Sequence, residues 1–239
     1  MLKCESVRSE LGIELLKAVV FDLDGTITKL ILPLEEMRDD TKKFFIDKGL
    51  PSDFVEPADG ISSTKHKALT YFEERGLTPE EWNKWCEDLD VVLDSHETET
   101  AERVELIEES LAVVDQIKKL GLKTAILTNS GRHAVDIIVK KVQLKPHFEL
   151  IQTRSESNRP KPYPDGIHQV IEKLGITMDE AIYVGDATID GVASKKAGIE
   201  FWGVTTGETP AEVLLKVGAS KVFNSLHEVL QEIKAHIKK

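Results

Sequence analysis

The sequence predicts an α/β fold: a mainly parallel sheet between two helical layers, with an all-helical segment inserted after the first strand. Three observations predict it. From about residue 109 onward, short apolar runs alternate with amphipathic stretches, the pattern of βα units whose strands are buried on both faces. Several of those runs end in acidic or hydroxyl residues, at the strand ends where parallel sheets bind ligands. Between roughly residues 30 and 105 the strand signal vanishes and only helical periodicity remains.

Residues 1–16 read as a short peripheral helix. Ala18-Val19-Val20-Phe21 is an apolar run of strand length that delivers Asp22-Leu23-Asp24-Gly25-Thr26 to a loop. Inside the insert, residues 34–48, 64–75 and 79–93 read as helices. The third opens on a capping box, Thr78 with Glu81, and sets Trp82, Trp85, Leu89 and Val92 on one stripe, the mark of core packing. Next comes a helix over Ser110–Leu120, with Leu111, Val114, Ile117 and Leu120 on one face and Gly121 placed to end it. A strand at Lys123–Leu127, a helix at Ala134–Val142 and a short strand at Phe148–Ile151 follow. The rhythm continues with a helix over Pro164–Leu174, a strand at Ala181–Val184, a helix after Asp190 and a strand near Phe201–Val204. Capping boxes are predicted at Thr177/Glu180, Thr209/Glu212 and Ser225/Glu228. The division that results is a sheet domain from residues 1–30 and 105–239, with 31–104 as the helical insert.

Composition narrows the function classes. An apolar fraction of 41% and a charged fraction of 31% are ordinary for a soluble chain, and no apolar run nears the ~20 residues of a membrane span. Charged residues interrupt the first twenty positions, which breaks a secretory signal and leads to an expectation of cytoplasmic location, as monomer or homodimer. Cys4 and Cys86 lie far apart with no metal-ligand spacing, so neither a disulfide framework nor a zinc site is expected. A net charge of −11 argues against a nucleic-acid partner, whose backbone is bound by clustered Lys and Arg.

The chemistry sits at strand ends. Asp22 and Asp24, two residues apart after a buried strand, leave on the same side of the sheet. Like charges so close repel by on the order of 4 kcal/mol at ~4 Å and an effective dielectric of about 20, so a cation is expected between them. Oxygen-only ligands select a hard ion, and magnesium fits better than zinc. Asp186 and Asp190, in Gly185-Asp186-Ala187-Thr188-Ile189-Asp190, form a second acidic pair after another strand; Asp186 suits direct ligation and Asp190 an outer role. Each could instead be a helix cap. Thr128-Asn129-Ser130-Gly131 precedes a helix whose free N–H groups suit an anion, or is an ordinary cap. Lys161 stands between Pro160 and Pro162, which restrict the backbone and hold one ammonium where phosphoryl oxygens could use it.

Those four segments, in this order, resemble the four signatures of the haloacid dehalogenase superfamily, in its aspartate-nucleophile phosphatase branch. The likeness covers the Rossmann-like core, and the insert is similar to the small helical cap of phosphoglycolate-phosphatase-like and phosphomutase-like members. The resemblance implies that Asp22 becomes an aspartyl phosphate and Asp24 is the general acid and base. It implies Mg2+ on Asp22, the backbone carbonyl of Asp24, and Asp186. Thr128 and the amides of Asn129, Gly25 and Thr26 would hold phosphate oxygens, Lys161 would offset charge, and Asp190 would support Lys161 or a metal-bound water. The expected partner is a small phosphorylated metabolite. A loop over residues 57–66 is a candidate specificity element, with Lys65 or His66 on a substrate carboxylate. A sugar phosphomutase and a non-catalytic binding module are the rival readings; a phosphonatase, needing a cap lysine, and a dehalogenase stand further off.

Overall fold

The computed structural model describes residues 16–237, so the expected N-terminal helix falls outside the described residues. Two compact units are present. One is built from residues up to Leu30, from Glu105–Asn129 and from Val142 onward; the other from Ile31–Val104 and Ser130–Lys141.

The first unit holds a six-stranded sheet: β1 (Ala18–Phe21), β2 (Lys123–Leu127), β3 (Leu150–Gln152), β4 (Ala181–Gly185), β5 (Glu200–Val204) and β6 (Lys221–Phe223). Every pairing is parallel and the order is β3-β2-β1-β4-β5-β6. The chain winds outward in both directions from β1, so the switch point lies between β1 and β4, where such sheets open a crevice at their carboxyl ends. Asp22 and Asp186 are the first residues beyond those two strands. Topology alone therefore carries both to one place.

Strand alternation assigns the two faces. Val20, Leu127 and Tyr183 are buried with Ile167 and Val170 of α6 (Asp165–Leu174), Ala193 of α7 (Thr188–Ala197) and Leu214 of α8 (Ala211–Lys216). Val19 and Phe21 point the opposite way, toward the layer in which α4 (Ser110–Lys119) packs with α9 (Leu226–Ile237). The three-layer α/β arrangement is thus present as the alternation predicts. Strand β6 is an addition: it has three half-buried residues and no apolar run to announce it. Strand β3 ends one residue later than expected.

The second unit contains α1 (Leu34–Asp47), α2 (Ile61–Glu73), α3 (Pro79–Ala101) and α5 (Arg132–Lys141). Its core gathers Met37, Phe45, Leu50, Ala68, Leu89 and Leu93, with Trp82 stacked on Phe45 at 5.5 Å. The capping box Thr78/Glu81 forms at the start of α3 as predicted. Helix α3 runs eight residues past its expected end at residue 93. Its last two turns bury Glu97, Thr100 and Ala101, a stripe that continues in polar residues and so escapes a hydrophobicity pattern. Glu97 accepts the Gly131 amide at 2.8 Å, and Lys141 donates to the Glu102 carbonyl, which ties α5 to α3 at both ends.

Two capping boxes differ from expectation. Helix α8 begins after Pro210 with no side-chain cap, so Thr209 and Glu212 do not close a box. At α9 the Ser225 hydroxyl accepts the Glu228 amide, but the Glu228 carboxylate reaches past Ser225 to the Asn224 amide at 2.8 Å. At Thr177/Glu180 the Glu180 carboxylate accepts the Thr177 amide at 2.9 Å while the Glu180 amide donates to the Thr177 carbonyl, on a single 3-10 turn leading into β4. No helix among the described residues is long and apolar enough to cross a membrane.

Candidate active site

At the switch point one carboxylate oxygen from each of Asp22, Asp186 and Asp190 lies within 4.8 Å of the other two, and all three residues are buried. Asp22 leaves β1 directly, its amide still bonded to the Val184 carbonyl of β4. Asp186 directly follows β4. Asp190 comes from the first turn of α7, which starts at Thr188 and so includes Asp190 where the expected helix began only after it. Its Oδ2 accepts the Ala187 amide at 2.9 Å, so it caps its own helix while Oδ1 faces the cluster.

Lys161 fills the centre. It is 3% exposed, and its ammonium donates to Asp22 Oδ1 and Asp190 Oδ1 at 2.7 Å each, to the Tyr183 hydroxyl at 2.9 Å and to the Leu127 carbonyl at 3.2 Å. Burial pushes the Lys161 ammonium down, but Asp190 and Asp22 outweigh it and hold the group above its ordinary range. Tyr183 was not legible from sequence as part of this site. The signal available was a tyrosine inside an otherwise aliphatic buried strand, whose hydroxyl must find a polar partner.

One ammonium does not balance three carboxylates. Burial, then Asp190, pushes Asp22 up to about 7, against the pull of Lys161. Burial, then Asp22 and Asp190, pushes Asp186 up to about 8, against the Thr26 hydroxyl, which donates to its Oδ1 at 3.0 Å. An all-oxygen cluster short of positive charge fits a hard divalent cation, and no His or Cys belongs to it.

A stability prediction arises here. The unfolded chain releases these two protons near 3.8, whereas the metal-free folded protein keeps them to about 7 and about 8. Between those limits the native state binds more protons, so its stability falls as pH rises. Thermal unfolding in a chelator should show the melting temperature dropping from about pH 5 to about pH 8 through this pair, and an added divalent cation should raise it more at the higher pH. A cation effect of equal size at both ends would contradict the charge deficit.

The remaining expected residues divide. Asp24 lies outside the triad, its Oδ1 accepting the Thr28 hydroxyl at 3.4 Å. Thr128 is buried at the end of β2, its amide bonded to the Gln152 carbonyl of the neighbouring strand. Asn129 has a role the sequence does not disclose. Its side chain forms a reciprocal pair with the Lys161 backbone, Nδ2 to the carbonyl at 2.7 Å and Oδ1 from the amide at 3.0 Å, while the buried Arg154 donates to the Asn129 carbonyl at 2.6 Å. The amides of Gly25 and Thr26, expected to hold phosphate, donate instead to the Thr28 carbonyl at 2.8 Å and the Leu23 carbonyl at 3.3 Å. The tight turn that carries Asp22 and Asp24 needs those bonds to close on itself. Gly25 earns its place differently: its φ is +83°, and a Cβ there would stand 2.5 Å from Asp186 Oδ2. In the helical unit, Lys65 lies against Cys86 of α3.

Comparison with known proteins agrees with this geometry. Residues 19–204 match the family described as haloacid dehalogenase-like hydrolase. The chain is 29% identical over 227 residues to a phosphoglycolate phosphatase of Neisseria meningitidis, covering 93% of this chain and 95% of that protein. It is 31% identical over 103 residues to a pyrophosphatase of Bacillus cereus, covering 43% and 46%. A hydrolase from Pseudomonas syringae shares the fold, with a TM-score of 0.63 at 22% identity over 92% of this chain and 98% of that one. The acidic switch-point cluster, the buried lysine across it and a family match over most of the chain lead to one conclusion: the protein belongs to the haloacid dehalogenase-like hydrolases.

Proposed function

We propose that this chain hydrolyses small phosphate monoesters through a phosphoryl group carried transiently on Asp22. The single observation that carries the reading is Lys161, a buried ammonium bridging Asp22 and Asp190 beside Asp186. That arrangement favours the ionised form of Asp22 against the burial that opposes it, and the bond to Oδ1 fixes its orientation. Lys161 engages Oδ1, so attack falls to Oδ2. The Oδ2–P bond forms as the P–O bond to the leaving alcohol breaks, and Asp24 gives its proton to the departing oxygen. Asp24 then takes a proton from water as that water attacks phosphorus, which frees inorganic phosphate and restores Asp22. Thr128 and the Asn129 amide are the proposed holders of the non-bridging oxygens, with Lys161 offsetting their charge. Mg2+, held by Asp22, Asp186 and the backbone carbonyl of Asp24, would supply the charge neutralisation this cluster lacks. Residues 31–104 are proposed as the cap that chooses the leaving alcohol.

The similarity to a phosphoglycolate phosphatase and to a pyrophosphatase supports a panel that contains both substrates. Phosphate release should be measured with Mg2+ on phosphoglycolate, hexose phosphates and pyrophosphate. The expected result is Mg2+-dependent release from at least one small monoester. Interconversion of hexose phosphate isomers without release would establish a mutase instead, and the absence of both would return the chain to a binding role.

A further inference from the structure

The loop after β5 meets the site from a direction that none of the four acidic, hydroxyl or lysine segments occupies. β5 pairs with β4, Gly203 opposite Gly185, so the chain leaving β5 emerges one strand over from Asp186. Two contacts follow. The Thr206 hydroxyl donates to the Gly25 carbonyl at 2.6 Å, joining this loop to the Asp22 turn. Gly207 then lies flat against the Asp186 carboxylate: a Cβ there would overlap Oδ2 and Cγ outright and stand 2.9 Å from the Asp186 Cβ. Gly207 is not among the residues with positive φ, so no left-handed backbone calls for glycine there. What the position demands is space alone.

We infer that Gly207 is a positioning residue for Asp186, its missing side chain leaving the carboxylate one place to stand. Gly25 also abuts the carboxylate and the Thr26 hydroxyl pins Oδ1, so two glycine backbones and one hydroxyl together hold Asp186. A methyl group at residue 207 cannot be absorbed by a flexible tip, because the atoms it meets include the carboxylate carbon itself. The carboxylate must rotate away or the loop must lift, and lifting the loop strains the Thr206 tether. This inference rests on reading Asp186 as a cation ligand.

The test is a calorimetric titration of the full chain with Mg2+ alone, alongside thermal unfolding in a chelator, for wild type, Gly207→Ala, Asp186→Ala and the double variant. Gly207→Ala should weaken Mg2+ binding on the order of 10- to 100-fold, the range typical of losing support for a ligand. Its thermal penalty should shrink when Asp186 is already Ala, since the carboxylate is gone and only the Cβ contact at 2.9 Å remains. If Gly207→Ala does not fold alone, a double variant as stable as Asp186→Ala supports the inference equally. Unchanged Mg2+ affinity in Gly207→Ala, with Asp186→Ala impaired, overturns the inference and leaves the cation reading standing. So does an equal thermal penalty in both backgrounds. Undiminished Mg2+ binding by Asp186→Ala overturns the cation reading, and this inference with it.

Discussion

Asp22→Asn should fold as wild type does and release phosphate at a rate lower by on the order of 10⁴-fold or more, the scale on which a nucleophile is lost. Such a factor corresponds to about 5.5 kcal/mol of barrier, more than a displaced positioning contact supplies. Asparagine keeps the size of the side chain and can still present an oxygen to Lys161, which bonds Asp22 Oδ1 at 2.7 Å. What it removes is the anionic oxygen that the proposed mechanism uses for attack. Steady-state phosphate release, read beside a melting curve in chelator, separates the two effects. A melting temperature near that of wild type with turnover abolished is the expected pair. Turnover comparable with wild type would remove Asp22 from its role, however well the fold survived.

Lys161→Met should act on stability as strongly as on activity. The ammonium is the shared partner of two buried carboxylates, and methionine fills the space of its stem without the charge. Breaking a buried pair from one side costs about 3–5 kcal/mol, because the partners stay buried and uncompensated. At roughly 2–4 °C per kcal/mol for a chain of this size, the melting temperature should fall by roughly 6–20 °C near neutral pH. The loss should shrink toward about pH 5, where Asp22 and Asp186, already pushed up to about 7 and about 8, take up protons and no longer repel. Lys161→Arg should fail to restore turnover. The four acceptors surround a compact point charge and not a planar fork. A variant as stable as wild type across this pH range would show that the cluster is balanced by something other than Lys161.

The parts of this site that sequence discloses are those set by local rules. An apolar run four residues long followed by Asp22 reads as a buried strand with a carboxylate at its end, and Ala181–Gly185 followed by Asp186 reads the same way. Because crossovers between parallel strands put those ends on one edge, Asp22, Asp186 and Thr128 fall on the same edge by sequence alone, whereas Lys161 lies in the loop between β3 and α6 and is marked only by its flanking prolines and its order in the chain. Asp190 shows both of the readings weighed for it, since one of its oxygens caps α7 and the other receives Lys161.

Other features depend on distances between segments that no periodicity encodes. The Gly25 and Thr26 amides are engaged inside their own turn, a consequence of how tightly it closes. Asn129 serves the Lys161 backbone 32 residues away, and Tyr183 serves its ammonium. One face of the last two turns of α3 is buried although their sequence is mostly polar, and Glu97 on it finds a buried donor in the Gly131 amide.

By itself the sequence determined which side chains could do the chemistry and on which edge of the sheet they would meet, since strand period and polarity at strand ends are properties of a few consecutive residues. Only the tertiary structure decided how the charges are shared, which amides are engaged and why residue 207 must be glycine. Those outcomes turn on approaches of a few ångströms between β1, β4 and β5, and such distances exist only once the sheet has formed.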